Sequence, residues 1–143
     1  MNKVWFITGC STGFGRQLAT EALKLGYKVA VTARNTNDIK DIIAAYPDNA
    51  LGLSLDVTKT GEIKTAVQAA NAKFGAIDFL VNNAGIGYFG SLEESEEEEI
   101  RRMFEINFFG LANVTKEVLP IMRKQRSGHI FNISSIGGFV AFP

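Results

Sequence analysis

The residues best suited to chemistry stand in short polar or glycine-rich stretches, each just after an apolar run. The first is Thr8-Gly9-Cys10-Ser11-Thr12-Gly13-Phe14-Gly15. Its glycines, Gly9, Gly13 and Gly15, permit positive φ and let a ligand come close to the backbone. A helix that starts directly after such a turn offers free N–H groups to a pyrophosphate. Ser11, Thr12 and Phe14 then belong to the same candidate dinucleotide cradle. The spacing is G-x-x-x-G-x-G rather than the usual G-x-G-x-x-G, so a plain tight turn is the competing reading.

A second station ends Val31-Thr32-Ala33-Arg34. A carboxylate at this place would grip a ribose 2′-hydroxyl, whereas an arginine suits a 2′-phosphate. The next carboxylate is Asp38, so Arg34 favours NADP(H) over NAD(H), with a solvated surface arginine as the alternative. Asp56-Val57 is either a turn whose carboxylate accepts from a nearby backbone N–H, or a ligand contact. In Asn82-Asn83-Ala84-Gly85 the amides can tie strand ends together, and the small residues leave room for a flat ligand; Asn83, Ala84 and Gly85 are candidates for that contact.

The last stretch, Asn132-Ile133-Ser134-Ser135, presents a serine that needs a nearby base to act as a nucleophile. The sole histidine, His129, begins the same run, and at about 3.3 Å per residue it lies at the far end of a strand. That argues against a Ser-His-Asp triad and makes His129 a strand-start residue. Asn107 lies within a long apolar helical stretch, a poor place for a side chain that competes with the backbone. It is either an exposed or locally bonded polar position, or it marks a helix distortion where it holds a water or a side chain facing a site. The six glutamates between Glu93 and Glu99 read as a helix start, with Ser95 and Glu98 as a capping box, rather than as a metal or acid–base cluster.

Positioning these stations requires strands that end where they begin. Apolar runs at residues 3–8, 28–32, 51–55, 77–81 and 129–134 read as strands, alternating with helical spacing at 14–25, 38–45, 62–74 and 96–122. Such alternation implies right-handed crossovers and a doubly wound α/β fold with a parallel sheet covered on both faces, in one domain spanning 1–143. Ligands in such folds sit beyond the carboxyl ends of the strands, where strand order reverses.

Composition bounds the rest. The 143 residues carry 15 Lys plus Arg against 15 Asp plus Glu, and 46% are apolar. Zero net charge removes the electrostatic drive for nucleic-acid binding. No run approaches the roughly 20 apolar residues of a membrane span. One cysteine and one histidine exclude an internal disulfide and a His/Cys zinc cluster, so no metal is expected and reducing cytoplasm is the expected compartment.

Taken in order, these stations resemble the short-chain dehydrogenase/reductase family over the whole sequence. Thr8 to Gly15 matches its T-G-x-x-x-G-x-G, Asp56-Val57 its adenine-contacting pair and Asn82 to Gly85 its N-N-A-G. Asn107 falls at its active-site asparagine, and Ser135 at its catalytic serine. The resemblance implies a Rossmann-like fold and hydride transfer between a nicotinamide and a carbonyl or alcohol carbon of a small-molecule substrate. Ser135 would orient the substrate oxygen and Asn107 would support a water-linked proton relay. An arginine at the place of Arg34 goes with NADP in the family.

The sequence also departs from the pattern. The family's Tyr-x-x-x-Lys is expected about a dozen residues beyond the serine, and none of Tyr27, Tyr46 and Tyr88 is followed by lysine four residues on. The expectation is therefore the cofactor-binding part of a reductase, incomplete on its C-terminal side and inactive by itself. A non-catalytic dinucleotide-binding or interaction module is the alternative. The helix 96–122 is apolar nearly all round (Ile100, Met103, Phe104, Ile106, Phe108, Phe109, Leu111, Val114), so it must be buried on more than one side. In the family it meets a partner subunit, and self-association through it is expected. Phe139, Val140 and Phe142 hint at an apolar wall.

Overall fold

The computed structural model describes residues 3–138 and 140. Five strands alternate with helices: β1 (Val4–Ile7), α1 (Gly13–Lys24), β2 (Lys28–Ala33), α2 (Lys40–Ala45), β3 (Ala50–Ser54), α3 (Thr60–Phe74) and β4 (Phe79–Asn82). Then come α4 (Glu97–Phe104), α5 (Leu111–Gln125) and β5 (His129–Asn132). Every strand pair is parallel, in the order β3-β2-β1-β4-β5. Chain order thus reverses between β1 and β4, where Phe6 is in register with Ala30 on one side and Leu80 on the other.

Both faces of the sheet are covered, as the doubly wound reading requires. Phe6 and Leu80 pack with Ile63, Val67, Val114 and Val118 from α3 and α5. Ile7, Val29, Val31 and Val81 face the other way, onto Ala19 and Leu23 of α1 and Ile42 of α2. Double coverage explains why Val29 to Ala33 is a continuous buried run instead of an alternating one. Burying a side chain such as Phe6 or Leu80 contributes about 1.5–3 kcal/mol.

The differences from expectation have specific causes. β4 starts at Phe79, not at residue 77, because the Gln125 amide occupies both main-chain groups of Ile77, at 2.9 and 3.0 Å. The helix expected over 38–45 opens as a 3-10 turn at Thr36–Ile39, where the Asn35 side chain accepts from Asn37 N. The long helix runs on past residue 122 to Gln125, and a π-helical segment at Glu105–Gly110 separates α4 from α5. The Ser95–Glu98 capping box does not form. Ser95 Oγ instead donates to Ser91 O at 2.6 Å, and Glu96, at the helix start, donates its N–H to the Tyr88 hydroxyl.

β5 has one strand neighbour among the described residues, and Phe131 and Ile133 are exposed beside it. The long helix buries Val114, Val118 and Met122 against the sheet, while Phe104, Phe108 and Phe109 stay about half exposed (52%, 58% and 47%). His129 is exposed at the start of β5, the end of the sheet away from Ser135, as expected of a strand-start residue. Among the described residues no helix is long and apolar enough to cross a membrane. Val140 is exposed; Phe139 and Phe142 lie outside the described residues.

Candidate dinucleotide site

The crevice beyond β1 and β4 is built by one hydroxyl. Thr8 Oγ1 accepts from the backbone N–H of Asn83 and of Ala84, both at 2.9 Å, and donates to Val81 O at 3.4 Å. The Asn83 amide donates in return to Thr8 O (2.9 Å) and Gly9 O (3.1 Å). The glycine turn and the Asn82–Gly85 turn are therefore one hydrogen-bonded unit. Asn82 ties β4 to β5 and α5 through Nδ2, which donates to Asn132 Oδ1 at 2.9 Å and Thr115 Oγ1 at 3.0 Å.

Close packing fixes which residues fit here. Gly9 has φ +72°, and a Cβ on it would stand 2.9 Å from Ala84 Cα. A Cβ on Gly15 would meet Gly9 O at 2.5 Å and the Asn83 amide. The glycines thus seat the turn against Asn83 and Ala84, as the tight-turn reading requires. Arg16 braces the turn from behind, donating to Ser11 O and Asp38 O and pairing with Asp41. Cys10 is buried below it, and burial pushes its thiol up to about 12, against a weaker opposing hydrogen bond from the Thr32 backbone. No thiolate nucleophile is offered at neutral pH.

A cavity of about 420 Å³ opens above this unit. Gly9, Ser11, Thr12, Arg34, Asp56, Val57, Asn83, Ala84 and Gly85 line it, bringing together residues from the ends of four consecutive strands. The Arg34 main chain is held by Ser54 Oγ, and its guanidinium has no hydrogen bond or ion pair among the described residues. Asp56 makes the anticipated turn: its Oδ1 accepts from Thr58 N (3.0 Å) and Thr58 Oγ1 (2.7 Å). Burial raises its pKa, but those two bonds and the charges of Lys59 and Arg34 outweigh it and hold the carboxyl below its ordinary value. Asp56 therefore stays ionised beside Arg34, and the pocket keeps one fixed acceptor.

The remaining residues of interest stand outside the cavity. Gly13, Phe14 and Gly15 begin α1, and Phe14 is 80% exposed. Asn107 falls within the π segment, so the helix is distorted at the asparagine. What it holds is main chain: Oδ1 accepts from Ile86 N at 2.9 Å and Nδ2 donates to Ile86 O at 2.8 Å. Ser135 is exposed beyond the end of β5, its Oγ accepting from Gly137 N at 3.2 Å. Sequence reasoning missed Ala33, Leu55, Thr58, Ile86, Arg102 and Ile106, which also line the cavity. Thr58 was within reach as the partner of an Asp56 turn; Arg102 and Ile106 carry no motif.

The cradle, the N-terminus of α1 beside it and an Arg34 guanidinium unpaired among the described residues have the donors and the positive charge that suit a phosphorylated dinucleotide. Known proteins with this arrangement are numerous. A family model described as short chain dehydrogenase matches residues 3–143. The chain is 38% identical to oxidoreductase BOA17 of Botryotinia fuckeliana over 144 residues, covering 100% of this chain and 53% of that protein. It is 39% identical to the 3-ketodihydrosphingosine reductase of Bacteroides thetaiotaomicron, covering 99% and 50%. A solved short-chain dehydrogenase from Streptomyces avermitilis superposes with a TM-score of 0.94 at 46% identity, over 99% of this chain and 52% of that one. The structure of ElxO with NADP bound superposes with a TM-score of 0.93 at 37% identity, over 100% and 59%. The chain thus spans about half the length of the curated relatives it matches. With the whole described sheet and crevice shared, this chain belongs to the short chain dehydrogenase family of oxidoreductases.

Proposed function

We propose that the chain is the cofactor-binding part of an NADP(H)-dependent oxidoreductase that moves a hydride between nicotinamide and a carbonyl or alcohol carbon. The observation that carries it is the unpaired Arg34 guanidinium at the end of β2, opening onto the same cavity as the glycine turn. ElxO, a 37% identical neighbour solved with NADP, supports the same cofactor. When bound, the cofactor supplies or accepts the hydride; the chain's residues bind and orient. The glycine turn and the N-terminus of α1 receive the pyrophosphate, Arg34 the 2′-phosphate, and Asp56 the base. Asn107 fixes the Ile86 backbone, and with it the loop that follows Gly85. Ser135 would hold the substrate oxygen. The proton would come from a Tyr-x-x-x-Lys segment, so hydride transfer is proposed for a protein that carries such a segment together with these residues.

The exposed Phe104, Phe108 and Phe109 make a ridge suited to a second copy of the chain. The lone reduced cysteine fits a cytoplasmic location.

Calorimetric titration of the chain with NADPH and NADH tests the proposal. NADPH binding at least about tenfold tighter, or about 1.4 kcal/mol, is expected, and Arg34→Gln should erase the difference while leaving NADH unchanged. Equal affinities in the unsubstituted chain would remove Arg34 from selectivity. Binding without turnover in a protein that does contain Tyr-x-x-x-Lys would leave the non-catalytic module.

A further inference from the structure

The cavity has a wall that the cofactor assignment above does not use. Gly110 packs directly on the turn that follows β3, where a Cβ would stand 2.7 Å from Val57 Cγ2. Ile106 and Arg102 precede it at successive four-residue steps along the same long helix, and both line the cavity with Leu55, Asp56 and Val57. Residues spaced by four share one helical face. Contact of that face with this turn at Gly110 therefore carries Ile106, and then Arg102, outward over the Asp56–Val57 end. This end combines apolar walls with one ionised acceptor, the combination that suits a flat aromatic base bearing an exocyclic amine. The glycine turn and Arg34 lie toward the phosphates and the ribose. Arg102 is tethered weakly, 3.4 Å from Glu99 with its side chain 55% exposed, so it is available to a ligand.

Resting on the dinucleotide reading, we infer that Arg102 is a base-binding residue, its guanidinium plane closing over the outer face of an adenine whose inner face rests on Ile106 and Val57. A planar cation over an aromatic face gains from cation–π attraction and stacking, which an ammonium group matches poorly. Arg102 would thus set affinity for every adenine nucleotide, while Arg34 sets the choice between NADPH and NADH. The two arginines of one cavity would have separable tasks.

Titration of the chain and its Arg102→Ala and Arg102→Lys variants with NADPH, NADH and ADP separates these tasks. Arg102→Ala should weaken all three ligands by about fivefold, the scale of a partly exposed cation–π contact, with the NADPH-to-NADH ratio unchanged. Arg102→Lys should recover little of that loss. Thermal melts should coincide for all three proteins, since Arg102 is a surface side chain. Loss confined to NADPH would overturn the inference and make Arg102 a second phosphate reader. No loss for any ligand, or full recovery with lysine, would overturn it as well. Failure of the unsubstituted chain to bind any of the three would instead bring down the dinucleotide reading and this inference with it.

Discussion

The middle of the described sheet and its β5 edge differ in how completely their polar and apolar groups are satisfied. At the β1–β4 crevice, Thr8, Gly9, Asn83 and Ala84 form a closed set of hydrogen bonds, with no room for an added Cβ on Gly9. At the β5 side, Phe131, Ile133 and Ile136 are 45%, 49% and 68% exposed, and the phenylalanine ridge of α4 and the π segment stands clear of the sheet. One region is preorganised by its own residues. The other presents apolar area that these residues leave uncovered. Binding a rigid anion needs the first condition, because donors already held in place cost nothing further to order. Association needs the second.

If that contrast holds, the crevice should be intolerant of very small changes. Gly9→Ala adds one methyl group at positive φ and against Ala84 Cα, and should destabilise by about 3 kcal/mol from strain and overpacking together. Urea denaturation should show the midpoint fall, and nucleotide binding should be lost at temperatures where the variant remains folded. A midpoint near that of the parent would mean the turn relaxes freely, and the contrast would fail. Thr8→Val comes next, keeping shape while leaving the Asn83 and Ala84 N–H groups without their acceptor. The expected cost is about 2 kcal/mol, with Thr8→Ser restoring most of it.

How far the sequence reveals this contrast depends on whether a residue's partner is local. The strands and helices were legible in order and type because buried parallel strands and amphipathic helices leave strong periodic traces, and the glycine turn because nothing else fits beneath Ala84. Asn107 could be flagged as a helix anomaly, since its cost is local, but the Ile86 backbone it holds is 21 residues away. The capping box failed for a local reason: Ser95 gives its hydroxyl to Ser91 O and its N–H to Leu92 O, and the helix starts one residue later, at Glu97. Gln125 shortening β4 across 48 residues, and Arg102 joining Arg34 in one cavity, are products of chain crossing that no spacing rule encodes. Self-sufficient turns are readable; walls assembled from distant helices are not.

The open side gives a smaller effect on folding and a different observable. Phe108 is 58% exposed and meets Phe109 edge-to-face at 5.1 Å. Phe108→Lys should change unfolding free energy by no more than about 0.5 kcal/mol, as for other exposed positions. It should nevertheless shift sedimentation toward monomer across a concentration series. If the parent chain is already monomeric at high concentration, the ridge is not an association surface and the contrast reduces to exposure alone.

The smallest expected effect belongs to the crevice side, at Asp56, beyond the sheet edge opposite β5. Burial raises its pKa, yet the Thr58 hydrogen bonds and the Lys59 and Arg34 charges hold it below the ordinary carboxylate value in the folded chain. A carboxyl whose folded pKa is depressed contributes stability that is fully present above its unfolded value, about 3.9. That contribution disappears as pH falls through the lower folded value. Asp56→Asn should therefore cost at most about 0.5 kcal/mol at pH 7, and the gap to the parent should close as both are acidified from pH 5 toward pH 3. Urea midpoints measured at each pH decide it. A gap of constant size at every pH would mean that Asp56 acts through turn geometry alone, which asparagine reproduces imperfectly, and that its charge does nothing for the fold; its charge would then be retained for the ligand.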